Sequence, residues 1–233
     1  MIIAMWSGPR NLSTAMMRSF GAREDCSVID EPFFAPFLKV TGIAHPGRDE
    51  TLKRHETDPE KAAQMCLAPS QTAYSFQKHM PHHMIEDFPM GWAKEAKHFF
   101  LIREPIRVIA SYVRGREDFD IDDLGYGSQY RLWERLGRPP VIDSLDILKN
   151  PDAALKGLCA AIDIAWDESM LSWEAGARPE DGAWAPYWYH SVQSSTGFSN
   201  PPDRLPNLDK NYHHYLEKVQ ADFDILFENR LRF

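Results

Sequence analysis

The sequence predicts a three-layer α/β protein, with a central parallel sheet of about five strands flanked by helices. Three observations carry that expectation. Short apolar runs alternate with stretches of helical periodicity, the order that a parallel sheet with crossover helices requires. Two of those runs, at 2–6 and 98–102, break into a proline-containing turn that opens onto a helical pattern. Composition is ordinary for a globular chain, 43% hydrophobic and 26% charged over 233 residues. No repeat or low-complexity linker interrupts it, so a single domain over 1–233 is expected.

Each element has its own signal. The run from Ile2 to Trp6 suits a buried strand. Ser7-Gly8-Pro9 ends it, because Gly admits unusual dihedrals and Pro cannot donate to a ladder. Leu12, Ala15, Met16 and Phe20 then recur at helical spacing, which predicts a helix over 12–23. Further strands are expected at 28–30, 73–77, 98–102 and 141–143, and further helices at 105–116, 128–136, 153–162 and 211–229. Residues 207–209 offer caps for the last helix. Its stripe of Tyr212, Tyr215, Leu216, Val219, Phe223, Leu226 and Phe227 should pack on the sheet or on a second copy in a homodimer.

Two stretches read as neither strand nor crossover helix. Residues 39–65 hold Gly42, Pro46, Gly47 and a short helical pattern from Pro59, which suits a substrate lid. Residues 173–206 are rich in aromatics, including Trp173, Trp184, Tyr187, Trp188, Tyr189 and Phe198. They should either wall a ligand pocket or fold back on the core. Ser194 to Gly197 could add hydroxyl and amide donors there.

The segment Trp6-Ser7-Gly8-Pro9-Arg10-Asn11-Leu12-Ser13-Thr14 suits an anion. A helix start offers free N–H groups and a positive dipole end, Arg10 adds charge, and Ser13 and Thr14 add hydroxyls. Alternatively, Ser13 and Thr14 merely cap the helix. A Walker A loop is excluded: counting from Gly8, Ser13 and Thr14 stand where its second Gly and its Lys belong. The second segment, Phe99-Phe100-Leu101-Ile102-Arg103-Glu104-Pro105 with Ser111 on the following helix, repeats the strand–turn–helix pattern. Together the two could hold a nucleotide that carries phosphate at two places.

These residues resemble the sulfotransferase family. Pro9 to Thr14 aligns with its 5′-phosphosulfate loop, which reads roughly Pro-Lys/Arg-Ser-Gly-Thr-Thr. Phe99 to Pro105 with Ser111 matches its 3′-phosphate segment. Asp143-Ser144-Leu145, Asn150-Pro151 and the pattern through Ile164 look like the element that closes its sheet. The resemblance implies a P-loop NTPase-like fold and a metal-free transferase using 3′-phosphoadenosine-5′-phosphosulfate (PAPS), with 3′-phosphoadenosine-5′-phosphate (PAP) as product. Arg10, Asn11, Leu12, Ser13 and Thr14 would hold the 5′ side, Arg103 and Ser111 the 3′-phosphate. Two departures stand out. Leu12 occupies the family's usual Gly position, and the Arg-Lys-Gly triplet that finishes the 3′-phosphate site in cytosolic members is absent from the C-terminal third. Arg107, Arg114 or Arg116 would have to substitute.

A sulfuryl acceptor must lose a proton. Phe76-Gln77-Lys78-His79-Met80-Pro81 resembles the family's Lys-Thr-His-Leu-Pro segment with one residue missing. By that resemblance His79 is the base and Lys78 assists at the donor. Glu31, at the end of a short strand, is the competing base, since some sulfotransferase branches use a Glu from about this place. His79 is narrowly preferred, although one missing strand residue turns side chains to the opposite face.

The remaining features bound the rest. His82-His83 and His213-His214 lack metal-ligand spacing, and Cys26, Cys66 and Cys159 are scattered and odd in number, so no metal site and free thiols are expected. A net charge of -8 argues against nucleic acid and anionic membrane partners. No apolar run approaches the roughly 18 residues of a membrane span, and no secretory signal is read at the N-terminus. A cytoplasmic enzyme acting on a small-molecule acceptor is expected. The competing functions are a kinase-like ATP-dependent transferase and a non-catalytic PAP-binding module.

Overall fold

A computed structural model of the chain describes residues 1–115, 119–201 and 204–233. Five strands form one sheet in the order β2-β3-β1-β4-β5. They are β1 (Ile2–Ser7), β2 (Cys26–Asp30), β3 (Tyr74–His79), β4 (Ala96–Ile102) and β5 (Val141–Asp143), and every pairing is parallel. The strand count and the α/β class agree with the sequence expectation. β3 runs to His79, two residues past its predicted end.

Helices cover both faces. They are α1 (Ser13–Gly21), α2 (Phe34–Thr41), α3 (Arg48–Arg54), α4 (Pro59–Cys66), α5 (Pro105–Val113), α6 (Tyr126–Arg135), α7 (Ser144–Lys149), α8 (Pro151–Ala161), α9 (Ala185–Trp188), α10 (His190–Gln193) and α11 (His213–Glu228). The pleat of β1 shows why three layers form. Ile3 and Met5 enter one apolar cluster with Met16, Phe20, Leu155 and Leu158. Ala4 and Trp6 enter the other with Val108, Ile109, Trp133 and Phe223. Strands buried on both faces must be apolar throughout, which explains their unbroken runs. The α11 stripe lies within the chain, where Val219, Phe223 and Leu226 are buried.

The excursion over 39–65 divides between scaffold and site. Ala62, Ala63 and Cys66 of α4 are buried in the core, and the Cys66 carbonyl accepts from Gln77 Nε2 at 2.7 Å. His45 instead reaches the ligand cleft. No helix among the described residues is long and apolar enough to cross a membrane.

In this order β1 leads leftward to β2, whereas β4 leads rightward to β5. Ligands of open α/β sheets bind beyond the carboxyl ends of the strands at such a divergence. The turns that carry Arg10 and Arg103 follow β1 and β4, so the topology sets them side by side.

Candidate functional site

A cleft of about 520 Å3 opens over the carboxyl ends of the strands and contains Arg10, Ser13, Thr14, Arg103 and Ser111 on its walls. The two turns are tied together. Arg103 donates to the Arg10 carbonyl at 2.5 Å, and Arg10 Nε donates to Ser111 Oγ at 3.0 Å. Asn11 Nδ2 donates to the Leu101 carbonyl at 3.0 Å, joining the first turn to β4 from beneath. Gln129 of α6, which carries no local sequence signal, donates to the carbonyls of Trp6 and Leu101.

The first turn is strained where an anion would be cradled. Arg10 has φ 57° and Leu12 φ 73°, both left-handed. Leu12 therefore reproduces the backbone conformation that Gly would adopt cheaply, at a cost of roughly 1–2 kcal/mol. Leu12 is the residue before α1, and no side chain caps that helix. Ser13 and Thr14 are thus not caps, and the first N–H groups of α1 remain for an anion.

Among the described residues, neither Arg10 nor Arg103 is ion-paired with a carboxylate. Arg10 donates to a hydroxyl and, at 3.4 Å, to the Trp188 carbonyl, while Arg103 donates to a carbonyl. Burial holds both guanidinium pKa values below their ordinary range; for Arg10 the neighbouring Arg114 adds to this, and for Arg103 Arg107 and Arg10 do. Half-buried cations that lack a direct ion pair favour an incoming anion, although Asp143 exerts some pull on Arg103. Arg114 also lines the cleft. Arg107 pairs with Glu104 at 3.0 Å, and Arg116 lies outside the described residues.

Across the cleft stands a buried polar cluster. Lys78 Nζ donates to Asp30 Oδ1 at 2.8 Å, to Tyr189 OH at 2.6 Å and to Glu31 Oε1. Tyr189 OH in turn donates to Asp30 Oδ2 at 2.6 Å and accepts from Trp184 Nε1 at 2.9 Å. Asp30 Oδ2 also accepts from the Gly182 N–H at 3.1 Å. Burial pushes the Glu31 carboxyl up to about 7, against the pull of Lys78 and with help from Asp30. Burial works against the Lys78 ammonium, yet Asp30, Glu31 and Tyr189 hold its pKa well above the ordinary value. Glu31 also carries φ 44°, and its second oxygen lies 3.7 Å from His83 Nδ1. Strain and a shifted pKa at one carboxylate on a cleft mark a functional group.

His79 is placed elsewhere. Its ring lies between Trp6 and Trp92, each centroid 4.7 Å away, and Nε2 is 3.2 Å from Gln77 Oε1. Burial lowers its pKa to about 3. The structure thus places His79, the preferred candidate, away from the cleft, and Glu31, the competing one, on its wall. Neighbours on a strand point to opposite faces, so Lys78 and His79 cannot both reach one cleft. β3 turns Lys78 to the cleft and His79 to the core.

The aromatic segment serves both expectations. Trp173, Trp184 and Tyr189 are buried, while Trp184, Trp188 and Tyr189 also wall the cleft. Tyr189 falls on the wall expected of the aromatic segment, and its pairing with Asp30 and Lys78 is what the sequence does not show. The crowding of rings near 184–189 signalled a wall, but nothing local told which phenol would meet Lys78.

The fold is a three-layer α/β scaffold with a cleft suited to an anion over the carboxyl ends of its strands. The profile of the sulfotransferase domain family matches residues 1–220, and the chain belongs to that family. Two curated relatives from Arabidopsis thaliana, branched-chain-amino-acid aminotransferase-like proteins 2 and 1, are each 37% identical over 230 residues. Those matches cover 97% of this chain but only 41% of each relative, so the chain spans less than half their length. Among solved structures, the sulfotransferase domain of the Synechococcus PCC 7002 olefin synthase covers 94% of both chains at TM-score 0.54 and 16% identity. The sulfotransferase domain of the curacin biosynthetic pathway gives TM-score 0.56 at 15% identity, over 94% of this chain and 97% of that one. A sulfotransferase from Alicyclobacillus acidocaldarius gives TM-score 0.55 at 10% identity, over 99% and 97%. These likenesses establish the fold.

Proposed function

We propose that the chain transfers a sulfuryl group in line from PAPS to the hydroxyl of a small acceptor, less favourably to an amine. The observation that carries this reading is the convergence on one cleft of two arginines with no ion pair among the described residues, an uncapped helix start and, opposite them, a buried carboxylate of raised pKa. A donor with phosphate at two positions fits that charge pattern. When bound, PAPS supplies an activated sulfuryl group whose departure leaves negative charge on the 5′-phosphate.

The protein's residues then have defined tasks. Arg10, Ser13, Thr14 and the first N–H groups of α1 stabilise the charge developing on the bridging oxygen. Arg103, Ser111 and Arg114 hold the 3′-phosphate. Glu31 takes the acceptor's proton, for which a carboxylate poised near neutrality is suited. Lys78 fixes one Glu31 oxygen, and its charge limits the rise in the carboxyl's pKa. The aminotransferase in the relatives' names describes proteins that extend well beyond the shared region.

Calorimetric titration with PAP, 5′-AMP, ADP and Mg-ATP tests this assignment. PAP should bind, and Arg10→Ala or Arg103→Ala should weaken it. Binding of Mg-ATP without binding of PAP would overturn the proposal in favour of a kinase-like transferase. PAP binding with no transfer to any acceptor would leave a nucleotide-binding module.

A further inference from the structure

We infer that Asp30 is a positioning residue for Glu31: it takes a share of the Lys78 ammonium and so keeps Glu31 free to exchange a proton. The inference rests on the sulfotransferase reading, in which Glu31 is the base, and deepens it by naming what poises that base.

The backbone brings the two carboxylates together. Successive side chains of a strand point to opposite faces, so Asp30 and Glu31 would ordinarily diverge. β2 ends at Asp30, however, and Glu31 takes a left-handed φ of 44°. The Glu31 N–H donates to the Lys78 carbonyl at 2.9 Å, which fixes the kink against β3. Both carboxylates then reach one ammonium, with Lys78 Nζ donating to Asp30 Oδ1 at 2.8 Å and to Glu31 Oε1. A left-handed Glu is strained, and the shared ammonium is what that strain secures.

The two carboxylates are held unequally. Asp30 accepts from Lys78, from the Tyr189 hydroxyl at 2.6 Å and from the Gly182 N–H at 3.1 Å. Among the described residues Glu31 accepts from Lys78, while its other oxygen has His83 Nδ1 at 3.7 Å, beyond hydrogen-bond reach. Three donors fix Asp30 in place, whereas Glu31 keeps lone pairs for an acceptor hydroxyl. Glu31, Lys78 and Tyr189 line the cleft, and the buried Asp30 stands behind them. Asp30 therefore acts through Glu31 rather than on a bound molecule.

The charges explain why the arrangement matters. An ammonium facing Glu31 alone would hold that carboxyl down. Asp30 draws off part of the attraction and adds its own negative charge, and the Glu31 carboxyl stands at about 7. The other groups around Glu31 do not supply this. Burial keeps His83 uncharged near neutrality and holds the Tyr189 phenol well above its ordinary range. A smaller cavity beside the end of β2 brings His55, Glu56 and Glu180 toward Asp30 and Glu31. Burial lowers the His55 pKa as well. Glu56 accepts from the Thr57 and Asp58 N–H groups, and Glu180 is exposed.

The test reads the Glu31 carboxyl directly. Glutamate labelled with carbon-13 at the side-chain carboxyl is incorporated, Glu31→Gln identifies the resonance, and NMR follows its titration in the wild-type protein and in three variants. The wild-type midpoint should lie at about 7. Asp30→Asn and Asp30→Ser both withdraw the charge, and either should lower the midpoint by at least about one pH unit. Tyr189→Phe removes hydrogen bonds from the same cluster but no charge, so it should move the midpoint far less. That contrast separates control of Glu31 from support of the fold, which all three variants weaken and which denaturant titration measures. A wild-type midpoint in the ordinary carboxylate range, or one that Asp30→Asn fails to lower, overturns the inference. The two readings fail separately, because PAP calorimetry judges the donor site and the carboxyl titration judges Asp30. If PAP does not bind but the midpoint falls, the sulfotransferase assignment falls and the hold of Asp30 on Glu31 survives. If PAP binds and the midpoint stays, only the inference falls.

Discussion

The two ends of the cleft are built by opposite strategies. At the donor end, Arg10, Ser13, Arg103 and Ser111 come from two short contiguous segments, each following one strand and opening one helix. At the other end, Glu31, Lys78, Trp184 and Tyr189 come from separate parts of the chain, with more than a hundred residues between Lys78 and Tyr189. The first end is charged, and among the described residues Arg10 and Arg103 form no ion pair. The second pairs its one ammonium fully and is walled by rings. Local sequence can specify the first, because a strand–turn–helix unit sets its own geometry. The second exists only once the sheet is assembled.

Substitutions that separate binding from chemistry break this comparison most sharply. Glu31→Gln removes the base while keeping the side chain's shape, and should lower kcat by about 10²–10⁴ while PAP affinity is retained. Arg10→Ala should cost on the order of 10²–10³ in rate and also weaken PAP. Calorimetry beside turnover distinguishes the two. Equal loss of PAP affinity in both variants would mean that the ends do not divide the labour as described. Tyr189→Phe acts within the second end alone. It withdraws a hydroxyl that serves Lys78, Asp30 and Trp184, and should cost about 1–3 kcal/mol of stability, read by denaturant titration. Donor affinity should be little changed.

Titration sharpens the contrast between Glu31 and His79. The Glu31 carboxyl rises from 4.5 to about 7 on folding. Its protonated form is therefore favoured in the folded chain, and its contribution to stability declines as pH rises through that interval. Activity runs the other way, because only the carboxylate accepts a proton, so kcat should climb toward a plateau above about pH 7. His79 falls from 6.5 to about 3 on folding. Its contribution is complete above pH 6.5 and is lost as pH falls toward 3. Glu31→Gln should abolish the ascending limb of the rate profile. Persistence of that limb in the variant would remove Glu31 from the base role.

Much of the fold was legible because its signals are local. Apolar runs mark all five strands, and the Arg10 and Arg103 turns are each readable within their own segment. The proposed base is not legible in the same way. Gln77, Lys78 and His79 differ in chemistry but not in strand propensity, and which one faces the cleft depends on register. Trp6 and Trp92 decide it by enclosing His79 on the far face. Gly182 shows the same limit. A Cβ there would lie 2.1 Å from the Trp184 ring, so the residue is Gly because an indole lies against its backbone. That indole holds Tyr189, and no local pattern announces it.

Leu12 tests the locally specified end at its weakest point. Its φ of 73° imposes on a Leu the conformation for which Gly is suited. Replacing it directly by Gly would confuse this strain with lost packing, because the side chain is half-buried against the α1 face of the core. Leu12→Ala and Leu12→Gly both remove that packing, but only Gly relieves the left-handed backbone. Gly is more flexible when unfolded, which offsets part of the gain. Leu12→Gly should still be the more stable of the two, by up to about 1 kcal/mol. Its PAP affinity should equal or exceed that of Leu12→Ala, since the turn reaches the same shape with less strain. If Ala is the more stable, the turn does not hold Leu12 left-handed in solution, and the donor end owes its geometry to Arg103 and Asn11 rather than to the backbone of its own loop.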